Sequence, residues 1–150
     1  MITYTYRTNL VWQGSTGAGY RHYARRHTAV APPAAEMELS ADPHFRGDPG
    51  LTNPEQLVVM AASSCQLLSF LAVAAQAGID VVGYTDSAEG VLSNKHPRRL
   101  ERIALAPVIR VIPGTDHERV RALIDKAHDG CFITNSLTGT VTITATVLDA

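Results

Sequence analysis

The chain has 150 residues, enough for one domain with a real core. Its 13 Lys and Arg against 14 Asp and Glu leave a formal charge of -1, so no overall basic field exists to hold nucleic acid or an anionic membrane. It holds only two cysteines, and MITYTYRTNL at the start has no apolar signal core or lipidation motif, so the expected compartment is the cytoplasm, where a structural disulfide is not expected. Residues 2–12 alternate and are rich in Thr and Tyr, which predicts a strand. Gln13–Gly19 reads as a turn and Tyr20–Val30 as the returning strand of a hairpin. Ala35–Ser40, beyond Pro32 and Pro33, reads as a third strand, so a hairpin and strands fill 1–40. The segment 41–52, with two Asp-Pro steps and two glycines, reads as an ordered loop.

The chain is organised around Thr52–Gly78, which predicts a central helix over 53–77. Asn53 suits the N-cap, Pro54 the first helical position, Glu55 the positive end of the dipole, and Gly78 the stop. The helix is apolar on nearly every side, as in a buried core or a membrane span. Gln56, Ser63, Ser64, Gln66, Ser69 and Gln76 spread along it argue for the core.

Strands are then expected within 80–112. Val81–Val91 and Leu100–Ile112 flank a polar tip, Ser93–Arg99, and Pro107 hints at an edge or bulge. Thr115 and Glu118 have capping-box spacing and open a helix over 115–129. Val120, Leu123, Ile124 and Ala127 mark its apolar face. It ends near Gly130, with Cys131 just beyond, and 140–148 is the cleanest alternating strand. There is no repeat or linker, so the expectation is a single α+β domain over 1–150.

Cys65 lies in the middle of the central helix and Cys131 at a helix end. Each reads either as a buried core thiol or as a working one. A thiol in an apolar helix is inert unless something favours its thiolate, and the cations to hand are Arg21, Arg25 and Arg26, beside Tyr20 and Tyr23. That run also reads as a solvated strand face. Arg46 in FRGDPG suits pinning a loop, and His128 a helix C-terminus. No zinc spacing, P-loop, dinucleotide fingerprint or Gly-x-Ser-x-Gly occurs, so neither a metal nor a cofactor is expected.

TNPEQL, the ten residues from Glu55 to Cys65, and CFITNSL from Cys131 together resemble the OsmC/Ohr family of thiol peroxidases. DPHFRGDPG, YTDSAEG and AHDGCFITNSL are similar to the OsmC-like branch. The resemblance spans nearly the whole chain. It implies antiparallel sheets wrapped around a long buried helix in an interlocked homodimer, with active sites at the subunit interface. It gives Cys65 the peroxidatic role and Cys131 the resolving role. It implies that Glu55 orients an arginine, for which Arg21 fits first and Arg25 is the reserve. The family turn often reads Gly-Gly-Arg, whereas here it reads Gly19-Tyr20-Arg21.

The implied activity is reduction of organic hydroperoxides through a sulfenic acid and an intramolecular disulfide, reset by an external dithiol, which the family's manner points to as lipoyl-type. The apolar residues Met60, Leu68 and Phe70 suggest an apolar substrate approach. The rival reading is a non-catalytic module that holds a small apolar ligand. Glu55 and Cys65 stand roughly 15 Å apart along one helix and about 80° apart around it. An arginine bridge, a broken helix or a partner's Glu55 would unite them. No Gly or Pro between them causes a break, which leaves an arginine bridge or a partner's Glu55. The interface site that the resemblance implies, with the nearly all-round apolar helix, places the expected Cys65 near the subunit interface and the nearer Glu55 carboxylate across it.

Overall fold

The computed structural model describes residues 1–150. Contacts divide the chain into two compact units, Met1–Leu57 and Val58–Ala150. The first contains a three-stranded antiparallel sheet, β1 (Asn9–Val11), β2 (His27–Val30) and β3 (Met37–Leu39), in that order. Leu10 sits opposite Ala29 and Thr28 opposite Glu38. The strands are shorter than the alternating sequence predicts. Ile2, Tyr4 and Tyr6 are exposed, and the segment that carries them joins none of the chain's sheets. Tyr20–Arg26 does not pair because it coils around a side chain. The Arg25 guanidinium donates to the carbonyls of Tyr23, at 2.6 Å, and Tyr20, at 2.5 Å.

The segment 41–52 is ordered, as expected. The Asp42 carboxylate accepts from the His44 amide at 2.7 Å and starts a single 3-10 turn, Pro43–Phe45. At Gly47 a β-carbon would fall 1.6 Å from the Ala41 carbonyl oxygen, so only glycine fits. The loop closes through a parallel bridge between Leu39 and Thr52, with the Ser40 amide donating to the Thr52 carbonyl at 3.0 Å.

The long helix, α1 (Pro54–Gln76), starts and stops where the sequence predicts. Asn53 and Gln56 cap it reciprocally. The Gln56 amide donates to Asn53 Oδ1 at 2.9 Å, and the Asn53 amide donates to Gln56 Oε1 at 3.0 Å. Losing such a cap costs about 1 kcal/mol. At the other end Gly78 takes φ 71°, and the Ile79 amide reaches back to the Ala74 carbonyl.

The second unit contains two further sheets, β4-β7-β9 and β5-β6-β8. The strands are β4 (Val81–Asp86), β5 (Glu89–Leu92), β6 (Leu100–Leu105), β7 (Pro107–Val111), β8 (Thr140–Ile143) and β9 (Thr146–Asp149). Each of the three long predicted strands is therefore broken once, and the three breaks align. Asp86 lies at this level. Its Oδ1 accepts from the Ala106 amide at 2.7 Å, so a side chain completes the hydrogen bonding where the ladder stops. Pro107, without an amide, begins β7 at the same level. The hairpin pairs are antiparallel, but β8 and β9 join parallel to β6 and β7. Parallel pairing requires a long crossover, and two helices supply it: α2 (His117–Asp129) and α3 (Phe132–Ser136).

The cap of α2 is Asp116, whose carboxylate accepts from the amides of Glu118 and Arg119. Thr115, the expected cap, donates to the Ile112 carbonyl at 2.7 Å instead. The core has two parts. Phe70 and Ala74 of α1 pack with Ile109, Val111, Val147 and the α2 residues Val120, Ile124 and Ala127. Ala62 of α1 packs with Ile103, Leu105 and Val141. Ala62, Gln66, Phe70 and Ala74, spaced by four, are the one stripe of α1 that is fully buried. Met60 and Leu68 remain 49% and 63% exposed, so a single chain does not cover the helix on every side.

Candidate active site

In the second unit the structure brings the two cysteines together. Cys65 projects from α1 and is half-buried; Cys131 is fully buried and occupies the N-cap of α3. Both are free thiols, and each shifts the other's ionisation. The Cys131 amide donates to the His128 carbonyl at 3.1 Å, which ties the thiol to the end of α2. Asn135 donates through its side chain to the Asp129 carbonyl, and Ser136 to the Phe132 carbonyl, so the short helix is braced at both ends.

No arginine lines the cavity around Cys65. Burial alone pushes the Cys65 thiol up. The Ile133 amide, the Cys131 thiol, the Phe132 amide and the Ser69 hydroxyl outweigh it and bring the thiol below its ordinary value. The amides of the first turn of α3 have no partner within the helix and are available to a thiolate. For Cys131 the balance reverses. Burial pushes it up, and the neighbouring Cys65 adds to this, against the pull of the Thr134 hydroxyl and amide. The Thr134 hydroxyl is buried and completes no hydrogen bond. The pair thus holds one thiol poised to ionise and one poised to stay protonated.

Sequence reasoning missed these donors because α3 is only five residues long and has no side-chain cap. A Cys followed by a polar turn (Thr134, Asn135, Ser136) just after Gly130 is the signal that marks it.

Cys65 opens into a cavity of about 760 Å³. Leu68, Ala72, Val73, Phe132 and Ile133 form much of its wall, and Lys126 is its single charged lining residue. Of the three apolar residues expected to face substrate, only Leu68 lines this cavity. Met60 lines a separate one of about 450 Å³ with Tyr84 and Asp86. Phe70 is fully buried in the core, 6.1 Å from Tyr84 between ring centroids, and lines neither cavity. The period of an α-helix places Phe70 on the buried stripe, five residues round from Cys65.

The expected arginine and glutamate belong to the first unit. Arg25 and Glu55 line one cavity of about 400 Å³, together with Trp12, Tyr23, His27 and Phe45. Arg25 is held in place by its two carbonyl acceptors and by the Tyr23 ring, 3.7 Å from guanidinium carbon to ring centroid. None of the chain's ion pairs involves Arg25 or Glu55, so both charges are free to meet another group. Arg21, the first choice from sequence, is exposed and does not line this cavity. Arg26 is taken up by Glu38 and Asp48. The geometry favours the reserve, Arg25. No three metal-ligating side chains converge in the chain.

Residues 47–146 match the family described as OsmC-like protein. The organic hydroperoxide resistance protein of Xanthomonas axonopodis pv. citri is 30% identical over 116 residues, covering 76% of this chain and 80% of its own length. In fold the chain is similar to an OsmC-like protein of unknown function from Vibrio cholerae, with TM-score 0.86 and 26% identity over 95% of this chain and 99% of that one. It is also similar in fold to an organic hydroperoxide resistance protein, OsmC, from Legionella pneumophila, with TM-score 0.68 and 22% identity over 98% of each chain.

Proposed function

Because the chain belongs to the OsmC-like family, among whose members are organic hydroperoxide resistance proteins, we propose that it is a cysteine-based peroxidase that reduces organic hydroperoxides to alcohols. The observation that carries the reading is the pair of neighbouring free thiols, Cys65 drawn below its ordinary value and Cys131 pushed above it, beside an apolar cavity.

The Cys65 thiolate attacks the terminal oxygen of the hydroperoxide. An S–O bond forms, the O–O bond breaks, and the alkoxide leaves as alcohol once it takes a proton. Cys65 is then a sulfenic acid. The Cys131 sulfur displaces its oxygen, an S–S bond forms and water leaves. The two electrons come from the two thiols, and an external dithiol returns them. The cavity wall of Leu68, Ala72, Val73 and Phe132 suits an alkyl tail. Arg25 and Glu55 come to Cys65 from a second copy of the chain in a homodimer. There the guanidinium steadies the thiolate and the peroxide, and the carboxylate aims it.

Variants test the roles. Cys65→Ser should consume no hydroperoxide. Cys131→Ser should consume roughly one equivalent per site, then stall or over-oxidise. Equal consumption by Cys65→Ser and wild type would remove the basis of the assignment.

A further inference from the structure

We propose that the first unit's cavity of about 400 Å³ is a subsite for the ring of aryl-substituted hydroperoxides, with Trp12, Tyr23 and Phe45 around the ring and Arg25 and Glu55 on the neutral peroxide group. This deepens the peroxidase reading, on which it rests, by naming the substrate class.

The chain keeps its aromatic and aliphatic walls apart. Beside Cys65 one ring, Phe132, stands among Leu68, Ala72, Val73 and Ile133. The cavity of the first unit instead gathers Trp12, Tyr23 and Phe45. Each of these is tethered separately. Trp12 Nε1 donates to the Ala24 carbonyl at 2.8 Å, and its ring meets Tyr23 edge-on, 6.2 Å between centroids and 85° between planes. The Tyr23 ring carries the Arg25 guanidinium. Phe45 ends the 3-10 turn, where its amide donates to the Asp42 carbonyl at 2.8 Å. Trp12 is 37% exposed and the other two are half-buried, so all three remain open to a guest. An aromatic guest gains edge-to-face and offset contacts that an alkyl group of equal area does not, and walls fixed in advance lose little freedom on binding.

The polar end selects a neutral group. The Asp42 carboxylate is occupied by the amide and the ring of His44, each at 2.7 Å. His27 Nδ1 donates to the Arg25 carbonyl at 2.8 Å. That leaves one cation and one anion, Arg25 and Glu55, neither of them in an ion pair. Arg25 spends one N–H on the Tyr23 carbonyl and one on that of Tyr20, and has others to give. A hydroperoxide uses both charges: its oxygen accepts from Arg25, and its O–H donates to Glu55. A carboxylate gains the arginine but meets Glu55 as a like charge, so aryl acids are disfavoured.

Trp12 is the chain's single tryptophan, so its emission reports on this cavity. The test titrates the reduced protein with 2-phenyl-2-propanol, the unreactive alcohol that cumene hydroperoxide leaves, and with tert-butanol and benzoate. The alcohol with the ring should change the emission saturably. Over the same range tert-butanol should not, and benzoate should bind at least about tenfold more weakly. Phe45→Leu keeps the volume and loses the ring, and should weaken binding of 2-phenyl-2-propanol about fivefold. It should also lower kcat/KM for cumene hydroperoxide, relative to that for tert-butyl hydroperoxide, by a similar factor. Glu55→Gln should narrow the gap between the alcohol and benzoate. No saturable change in the wild type would overturn the proposal, as would equal affinity for 2-phenyl-2-propanol and benzoate. An unaltered affinity in Phe45→Leu would do the same. The wild-type titrations decide without any variant. Saturable binding with cumene hydroperoxide left unconsumed would count against the peroxidase reading and leave the aryl site standing. Consumption without any change in emission would do the reverse.

Discussion

At Cys65 the decisive contacts are hydrogen-bond donors, and the cation expected beside it lies in the other unit of the chain. Two amides, the Cys131 thiol and the Ser69 hydroxyl bring its thiol below the ordinary value against the cost of burial, while Cys131 goes up. We therefore predict that the rate of attack on hydroperoxide, measured by stopped flow, rises with pH through the depressed value of Cys65. It levels off at a lower pH than an ordinary thiol requires, because the thiolate is the nucleophile. Both cysteines were legible in the sequence from their contexts, one in TNPEQL…C and one in CFITNSL. Which arginine lines a cavity with Glu55 was not. Position after the glycine-rich turn favoured Arg21, but Arg25 is the one whose guanidinium is clasped by the carbonyls of Tyr20 and Tyr23 and shares a cavity with Glu55. We predict that Arg25→Ala lowers the peroxide reaction rate at neutral pH by roughly tenfold or more, whereas Arg21→Ala stays within about twofold of wild type. Stopped-flow rates on the two variants check this, and the reverse order would restore Arg21.

At the scale of elements, α1 was legible to within one residue at each end, because caps are local chemistry. Asn53, Pro54, Gln56 and Gly78 act through neighbours a few positions away. The strands were legible as runs but not as pieces. Nothing in the alternation of Val81–Val91, Leu100–Ile112 or Thr140–Leu148 announces that all three break at one level, because that break is a property of the sheet they form together. Helix α3 escaped for a different reason: five residues are too few to show a period. Its first-turn amides are what Cys65 needs, which makes a specific prediction. Phe132 is the first residue of α3, its side chain is 80% exposed, and Cys131 before it has φ -72° and ψ 113°, values compatible with a following proline. Phe132→Pro should therefore fold. It should also remove one donor from Cys65 and slow alkylation at neutral pH a few-fold, less than loss of the Ile133 amide would. A thermal melt alongside the alkylation profile checks both halves.

For the whole molecule, one chain leaves too much apolar surface open. Met60, Leu68 and Leu71 on α1 are 49%, 63% and 38% exposed, and Ile2, Tyr4 and Tyr6 project from a segment with no strand partner. Covering three large side chains contributes on the order of 4 kcal/mol, a strong reason for a second copy. A second copy also answers the geometry of α1. The helix is unbroken from Glu55 to Cys65, so of the three ways to unite them the broken helix is excluded. We predict that mixed dimers of Cys65→Ser and Glu55→Ala subunits regain one complete site. No recovery, with subunit exchange demonstrated by mass, would place the glutamate and cysteine of one site in the same chain. The central claim is the dithiol chemistry itself, and counting thiols tests it most directly. Reduced protein is given one equivalent of cumene hydroperoxide per chain, and free thiols and intact mass are read before and after. The account predicts that both thiols vanish together, that each chain loses two hydrogens through one intramolecular disulfide, and that one equivalent of alcohol appears. Two thiols still free, with the hydroperoxide unconsumed, would contradict it and leave a module that binds an apolar ligand without chemistry.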